Sequence, residues 1–152
     1  MKKVLILAYD FPPYSSVGGL RPYSWFKYFK SFGAEPIVIT RQWGKTIDNH
    51  LDYITSSKEN KTIYENLDSG LILRTPYKSN LANRIYLKYG ENKFSLLRKI
   101  ISAYYEIGQY LFKIGPKKQI YYGAKEFLKN NKVDAIIATG DPFVLFSLLE
   151  VM

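Results

Sequence analysis

The stretch Asp10-Phe11-Pro12-Pro13-Tyr14-Ser15-Ser16-Val17-Gly18-Gly19-Leu20-Arg21 holds the first residues able to do chemistry. Gly18 and Gly19 leave their backbone N–H groups unobstructed. A helix starting just after them would turn those donors, and its positive dipole end, towards an anion or a sugar. The alternative is that the pair simply turns the chain. Arg21 beside them suits a phosphate or carboxylate held by two parallel hydrogen bonds, or else a surface ion pair. Asp10 is either an acid or base at a strand end or the residue that closes a turn. No second carboxylate accompanies it, which excludes an acidic pair holding magnesium.

Two further positions qualify. His50 has the proton affinity of a general base, or is a loop histidine with no such role. In Thr139-Gly140-Asp141-Pro142, Asp141 is either a helix cap or an acceptor for a substrate hydroxyl. His50 and Asp141 are therefore the weak candidates for catalysis, and no base is assigned. Two better-defined phosphate motifs are excluded. The dinucleotide fingerprint needs G-x-G-x-x-G directly after a strand, and a P-loop needs G-x-x-x-x-G-K-[ST]. Neither occurs in the chain.

The elements that must position these residues are legible as alternating patterns. Residues 4–9 form a continuous apolar run, as a strand buried on both faces requires. Pro22 suits a first helical position, with Trp25, Phe26 and Phe29 on one face and Gly33 as terminator. Residues 36–40 are a second buried strand, which completes a βαβ unit. Residues 41–69 read mostly as loop, and 71–75 as a third strand. Helices are expected over 81–88, 94–114 and 117–130. The second of these has Leu97, Ile100, Ile101, Tyr104, Ile107, Gly108, Leu111 and Phe112 on an inward side. The third turns Ile120, Tyr121, Ala124, Phe127 and Leu128 inward. Residues 133–139 are a fourth strand. Such alternation predicts an α/β fold: a Rossmann-like parallel sheet with helices on both faces. Ligands then bind beyond the carboxyl ends of the strands, which selects the loops at 10–19, after 41, and at 140–142.

Composition narrows the partners. The chain has 152 residues, 22 Lys+Arg against 13 Asp+Glu, no cysteine and one histidine. A disulfide scaffold, a thiolate metal site and a histidine-rich metal cage are thereby excluded. Aromatic content is 16%, with 14 tyrosines. Lys78, Arg84, Lys88, Lys93, Arg98 and Lys99 gather around a single acid, Glu91, with Tyr77, Tyr86, Tyr89 and Phe94 among them. Lys88, Lys93, Arg98 and Lys99 are candidates for an anionic membrane surface, or form a solvated face. No nucleic-acid-binding motif is present, and the aromatics are spread through predicted core positions. No secretory leader or ~20-residue apolar span is found, so the chain reads as cytoplasmic.

Taken together, residues 2–40 resemble the start of family 4 glycosyltransferases. The resemblance rests on a buried strand, Tyr9-Asp10-Phe11-Pro12-Pro13, Gly18-Gly19-Leu20-Arg21, an aromatic helix and a second strand. Lys132-Val133-Asp134-Ala135-Ile136-Ile137-Ala138-Thr139-Gly140-Asp141-Pro142-Phe143 is similar to a later segment of the same domain, with Asp141 in place of a proline. The resemblance implies the N-terminal, acceptor-binding half of a GT-B fold. It implies a retaining transfer of sugar from a nucleotide-sugar to a glycan or lipid-linked acceptor, in bacterial surface polysaccharide synthesis. The acceptor candidates are Tyr14, Ser15, Arg21, Gly140 and Asp141, and Gly18 and Gly19 lie next to the donor diphosphate. No metal or cofactor is required, since backbone dipoles and basic side chains stabilise the leaving group. The enzyme is expected at the inner face of the cytoplasmic membrane.

Nothing in the chain matches the family's donor-binding C-terminal domain. Residues 143–152 read as an apolar helix with no stop signal. The expectation is thus a partial domain, inactive alone and prone to self-association. The alternatives are a non-catalytic binding or scaffolding module, and part of another nucleotide-using GT-B enzyme such as a sugar epimerase.

Overall fold

The computed structural model describes residues 1–44, 49–112 and 114–139. Gly140, Asp141 and the expected helix at 143–152 lie outside the described residues. The fold is α/β. Five strands, β1 (Lys2–Ala8), β2 (Ala34–Arg41), β3 (Ile63–Leu67), β4 (Gly70–Thr75) and β5 (Ala135–Thr139), form one sheet in the order β3-β4-β2-β1-β5. β2 is central, β1 is parallel to β2 and β5, and β4 is parallel to β2. Among the described strands, β3 alone runs antiparallel, at the edge.

The apolar run in β1 has the double burial it predicts. Val4, Ile6 and Ala8 point to one face, where they pack with Phe11, Phe26, Val38 and Ile72. Leu5, Leu7 and Tyr9 point to the other, against Ile37, Ile39, Leu73 and Tyr77. Helix α1 (Val17–Tyr28) covers the first face and α5 (Lys118–Asn130) covers the second, through Ile120, Tyr121, Ala124 and Phe127. Both faces of β1 and β2 are therefore covered over most of their length.

Three local features differ from expectation. Helix α1 begins at Val17, five residues before Pro22. Ser16 has extended backbone and its hydroxyl accepts from the Gly19 N–H, which caps the helix early. Pro22 lies inside the helix and is tolerated there as a buried residue. A 3₁₀ turn at Phe29–Phe32 then leads to Gly33 at φ 79°, the left-handed terminator expected.

Residues 41–69 are not all loop. They hold the short α2 (His50–Ile54), with a capping box between Asn49 and Asp52, and strand β3. A two-residue turn, Asp68-Ser69, joins β3 to β4. An added Cβ at Gly70 would overlap the Pro36 carbonyl oxygen, so only glycine fits there. Arg74 fixes this hairpin by an ion pair to Glu65 at 2.7 Å and donates to the Pro12 carbonyl at 2.7 Å, tying the loop after β1 to the sheet.

Helices α3 (Leu81–Tyr89) and α4 (Ser95–Leu111) pack on one another. Only Gly108 of α4 is buried. Leu97, Ile100, Tyr104, Ile107 and Leu111 are exposed, contrary to the inward side expected of them.

Candidate functional site

The loops that follow β1, β2 and β4 gather at the carboxyl end of the sheet, and an arginine holds them together. Arg41, the last residue of β2, is 2% exposed. Its Nη1 donates to the Tyr9 hydroxyl at 3.0 Å and to the Tyr53 carbonyl at 2.7 Å. Nη2 donates to the Thr55 carbonyl and Nε to the Gln42 carbonyl, each at 3.4 Å. The guanidinium lies 3.4 Å from the Tyr77 ring centre and 3.9 Å from that of Trp43. Tyr9 and Tyr53 stand 5.5 and 5.8 Å away. No carboxylate is within ion-pair distance of Arg41 among the described residues. Carbonyl dipoles and π faces carry the charge instead.

Tyr14 stacks on Trp43 at 4.4 Å with the rings 15° from parallel. Arg41 meets the same indole and makes no ring contact with Tyr14, so the three form a layered stack whose outermost ring, Tyr14, is half-buried. The hydroxyls around the stack are satisfied locally, whereas the buried Trp43 Nε1 has no acceptor among the described residues. Thr40 donates to the Tyr9 carbonyl, Thr75 to the Thr40 carbonyl, and Ser79 to the Ile54 carbonyl. Burial raises the Tyr9 phenol well above its ordinary range, more than nearby Arg41 lowers it. Burial, followed by the Asp10 charge, raises Tyr53 as well. Both phenols are neutral hydrogen-bonding groups at neutral pH.

The glycine pair follows Tyr14 in the same connection and lies inside the first turn of α1. Ser16 donates to Asp10 Oδ2 at 2.9 Å while accepting from Gly19 at 3.0 Å. Asp10 thus serves the helix N-terminus through Ser16. The two glycines are not equivalent. A Cβ on buried Gly19 would sit 3.3 Å from Ser16 Oγ and 3.4 Å from the Asp10 carbonyl, which is tight. On exposed Gly18 it would meet Asp10 Oδ2 at 3.5 Å, an ordinary contact. Packing therefore explains Gly19 and leaves Gly18 unexplained.

The other candidates are dispersed. Ser15 is exposed in the β1–α1 loop, next to Tyr14, and Arg21 is exposed further along α1. His50 opens α2 and its Nε2 lies 3.3 Å from the Tyr86 hydroxyl. It lines a cleft of about 240 Å³ with Ile54, Ala82, Asn83, Tyr86, Arg98 and Ser102, on the α3–α4 side. Arg98 is half-buried, 4.8 Å from the Tyr86 ring centre, and donates to the Glu91 carbonyl. Lys88, Lys93 and Lys99 are exposed. Gly140 and Asp141 fall outside the described residues.

The sequence missed Arg41, Trp43, Tyr53 and Tyr77 as a cluster. The available signal was an arginine ending a buried strand, followed at once by Gln42-Trp43. Among the described residues, no group of three His, Asp or Glu could hold a metal ion, and no helix is long and apolar enough to cross a membrane. No protein-family model matches the chain, and no curated protein matches its sequence.

Proposed function

We propose that this chain binds the acceptor in a retaining sugar transfer from a nucleotide-sugar to a glycan or lipid-linked acceptor, in the assembly of bacterial surface polysaccharide. The observation that carries the proposal is Gly18. It is an exposed glycine in the first turn of α1, without steric need to be glycine, four residues after the Tyr14 that stacks on Trp43. A sugar phosphate needs both parts. The Gly18 N–H at the helix N-terminus suits a phosphate oxygen, Ser16 already holding the Gly19 N–H, and the half-buried Tyr14 ring suits the apolar face of a pyranose ring. Ser15 is exposed next to Tyr14, and Arg21 is exposed further along α1. The sequence resemblance to family 4 glycosyltransferases supports the same assignment. Donor binding and the carboxylate pair would come from a second domain, so the chain alone is expected to turn nothing over. A position at the inner face of a cytoplasmic membrane would bring it to a lipid-linked acceptor, with Lys88, Lys93 and Lys99 as local positive charge.

Gly18→Ala tests the site with effects of opposite sign. Alanine is the better helix former by about 0.5–1 kcal/mol, so the variant should be as stable as the parent or more so in urea. Binding of nucleotide-sugars and sugar phosphates, followed by amide NMR, should weaken roughly tenfold as the methyl blocks backbone approach. Saccharide binding that survives Gly18→Ala and shifts resonances away from Tyr14 and Trp43 would overturn the assignment.

A further inference from the structure

Helix α4 presents an apolar seam that nothing among the described residues covers. Leu97, Ile100, Tyr104, Ile107 and Leu111 are spaced three, four, three and four residues apart, the repeat that aligns one face of a helix against another helix. Each is between 47% (Leu97) and 68% (Leu111) exposed, although α4 meets α3 through Arg98 and Ser102. Five side chains of this size leave on the order of 600 Å² of apolar surface, the scale that marks an interaction site on a monomer.

We infer that the seam is the contact between two copies of this chain, packed α4 against α4. Three observations select that occupant. The seam reads Leu, Ile, Tyr, Ile, Leu in either direction, so an antiparallel pair about a two-fold axis near Tyr104 sets apolar against apolar along its whole length. Self-complementarity of this kind is what a two-fold interface requires. The positions bordering the seam, Leu96, Ile101, Ala103, Gly108 and Tyr110, carry no charge, so two copies meet without like-charge repulsion. A helix lying in a membrane surface would instead border its apolar face with Lys and Arg. Here Arg98 turns to Tyr86 of α3. Finally, two such faces bury about 1,200 Å², the lower bound for a specific interface, which fits a dimer of micromolar strength.

The test is the oligomeric state of the whole chain by sedimentation velocity from about 1 to 100 μM, the range such an interface implies. The parent should dimerise within it. Ile100→Lys/Ile107→Lys and Ile100→Glu/Ile107→Glu should each remain monomeric, with dissociation constants raised at least about 100-fold. Both sites are exposed, so the variants should keep the parent's circular dichroism and urea midpoint. Mixing the two variants should restore a heterodimer, which only a contact between the two seams can produce. Three results would overturn the inference. These are a parent that stays monomeric at 100 μM, dimerisation equal in parent and variants, and a monomer that co-sediments with anionic phosphatidylglycerol vesicles through Ile100 and Ile107. The last would assign the seam to a membrane.

Discussion

Two arginines stand against tyrosine rings in this molecule, and neither has a carboxylate within ion-pair distance among the described residues. Arg41 is buried and donates to four oxygens across three segments of chain. Arg98 is half-buried and donates to the Glu91 carbonyl, while its Nε is covered and has no acceptor. The contrast separates two uses of one side chain. At the carboxyl end of the sheet a buried cation replaces an ion pair with carbonyl dipoles and π faces, and in doing so fastens the segment from Tyr53 to Thr55 onto β1 and β2. Between α3 and α4 the cation closes a helix pair that keeps its own apolar seam outside.

The largest expected effect is at Arg41. Arg41→Met keeps much of the volume but leaves the Tyr9 hydroxyl and the Gln42 and Tyr53 carbonyls without their donor, while water replaces it at exposed Thr55. Unmet buried groups cost about 1–3 kcal/mol each, and a loss of about 3 kcal/mol or more is expected in urea denaturation. Arg41→Lys should recover less than half of it, because an ammonium cannot reproduce the fork or lie flat on Trp43 and Tyr77. A loss below about 1 kcal/mol would place both arginines in one class and remove the contrast.

That box was only half legible in the sequence. The parallel sheet was, because Val4 to Tyr9 and Pro36 to Thr40 are apolar on both faces and only a covered sheet centre accommodates that. Strand β3 was not. Ile63-Tyr64-Glu65-Asn66-Leu67 is short and solvent-facing at an edge, so its pairing with β4, rather than its burial, makes it a strand. Helix α4 shows a related limit. Periodicity reveals that Leu97, Ile100 and Tyr104 share a face, and says nothing of what covers it. Arg41 reads as the first polar residue after a strand, and its cage comes from residues 9, 43, 53 and 77, which only the fold assembles. Tyr14 enters only as an acceptor candidate beside the resemblance, and its stacking on Trp43 comes from the fold.

A middle-sized effect comes with alkali. Burial holds the Tyr9 and Tyr53 phenols above their ordinary value of 10.0 in the folded chain. Above pH 10 the unfolded chain releases these protons first and binds fewer than the folded one, so stability falls as pH rises and is unaffected below that point. Tyr9→Phe should cost about 1 kcal/mol at pH 8 through the lost Arg41 contact. Its deficit should then narrow between pH 10 and 11, measured as urea midpoints. A deficit that stays constant would mean that Tyr9 ionises alike in both states, and the box would be wetter than its geometry implies.

The smallest effect is expected at Arg98, where three small terms compete. Arg98→Met gives up a cation over the Tyr86 ring, worth about 0.5–1 kcal/mol where partly exposed. It also frees the Glu91 carbonyl, but Glu91 is exposed and water takes the place of the guanidinium. Against these losses it removes a covered Nε that has no acceptor, whose burial costs about 1 kcal/mol or more. The sum lies within about 0.5 kcal/mol of zero. A loss approaching that of Arg41→Met would show that the guanidinium is anchored by more than one carbonyl. The distinction between a cation that fastens the sheet and one that merely lines a cleft would then fail.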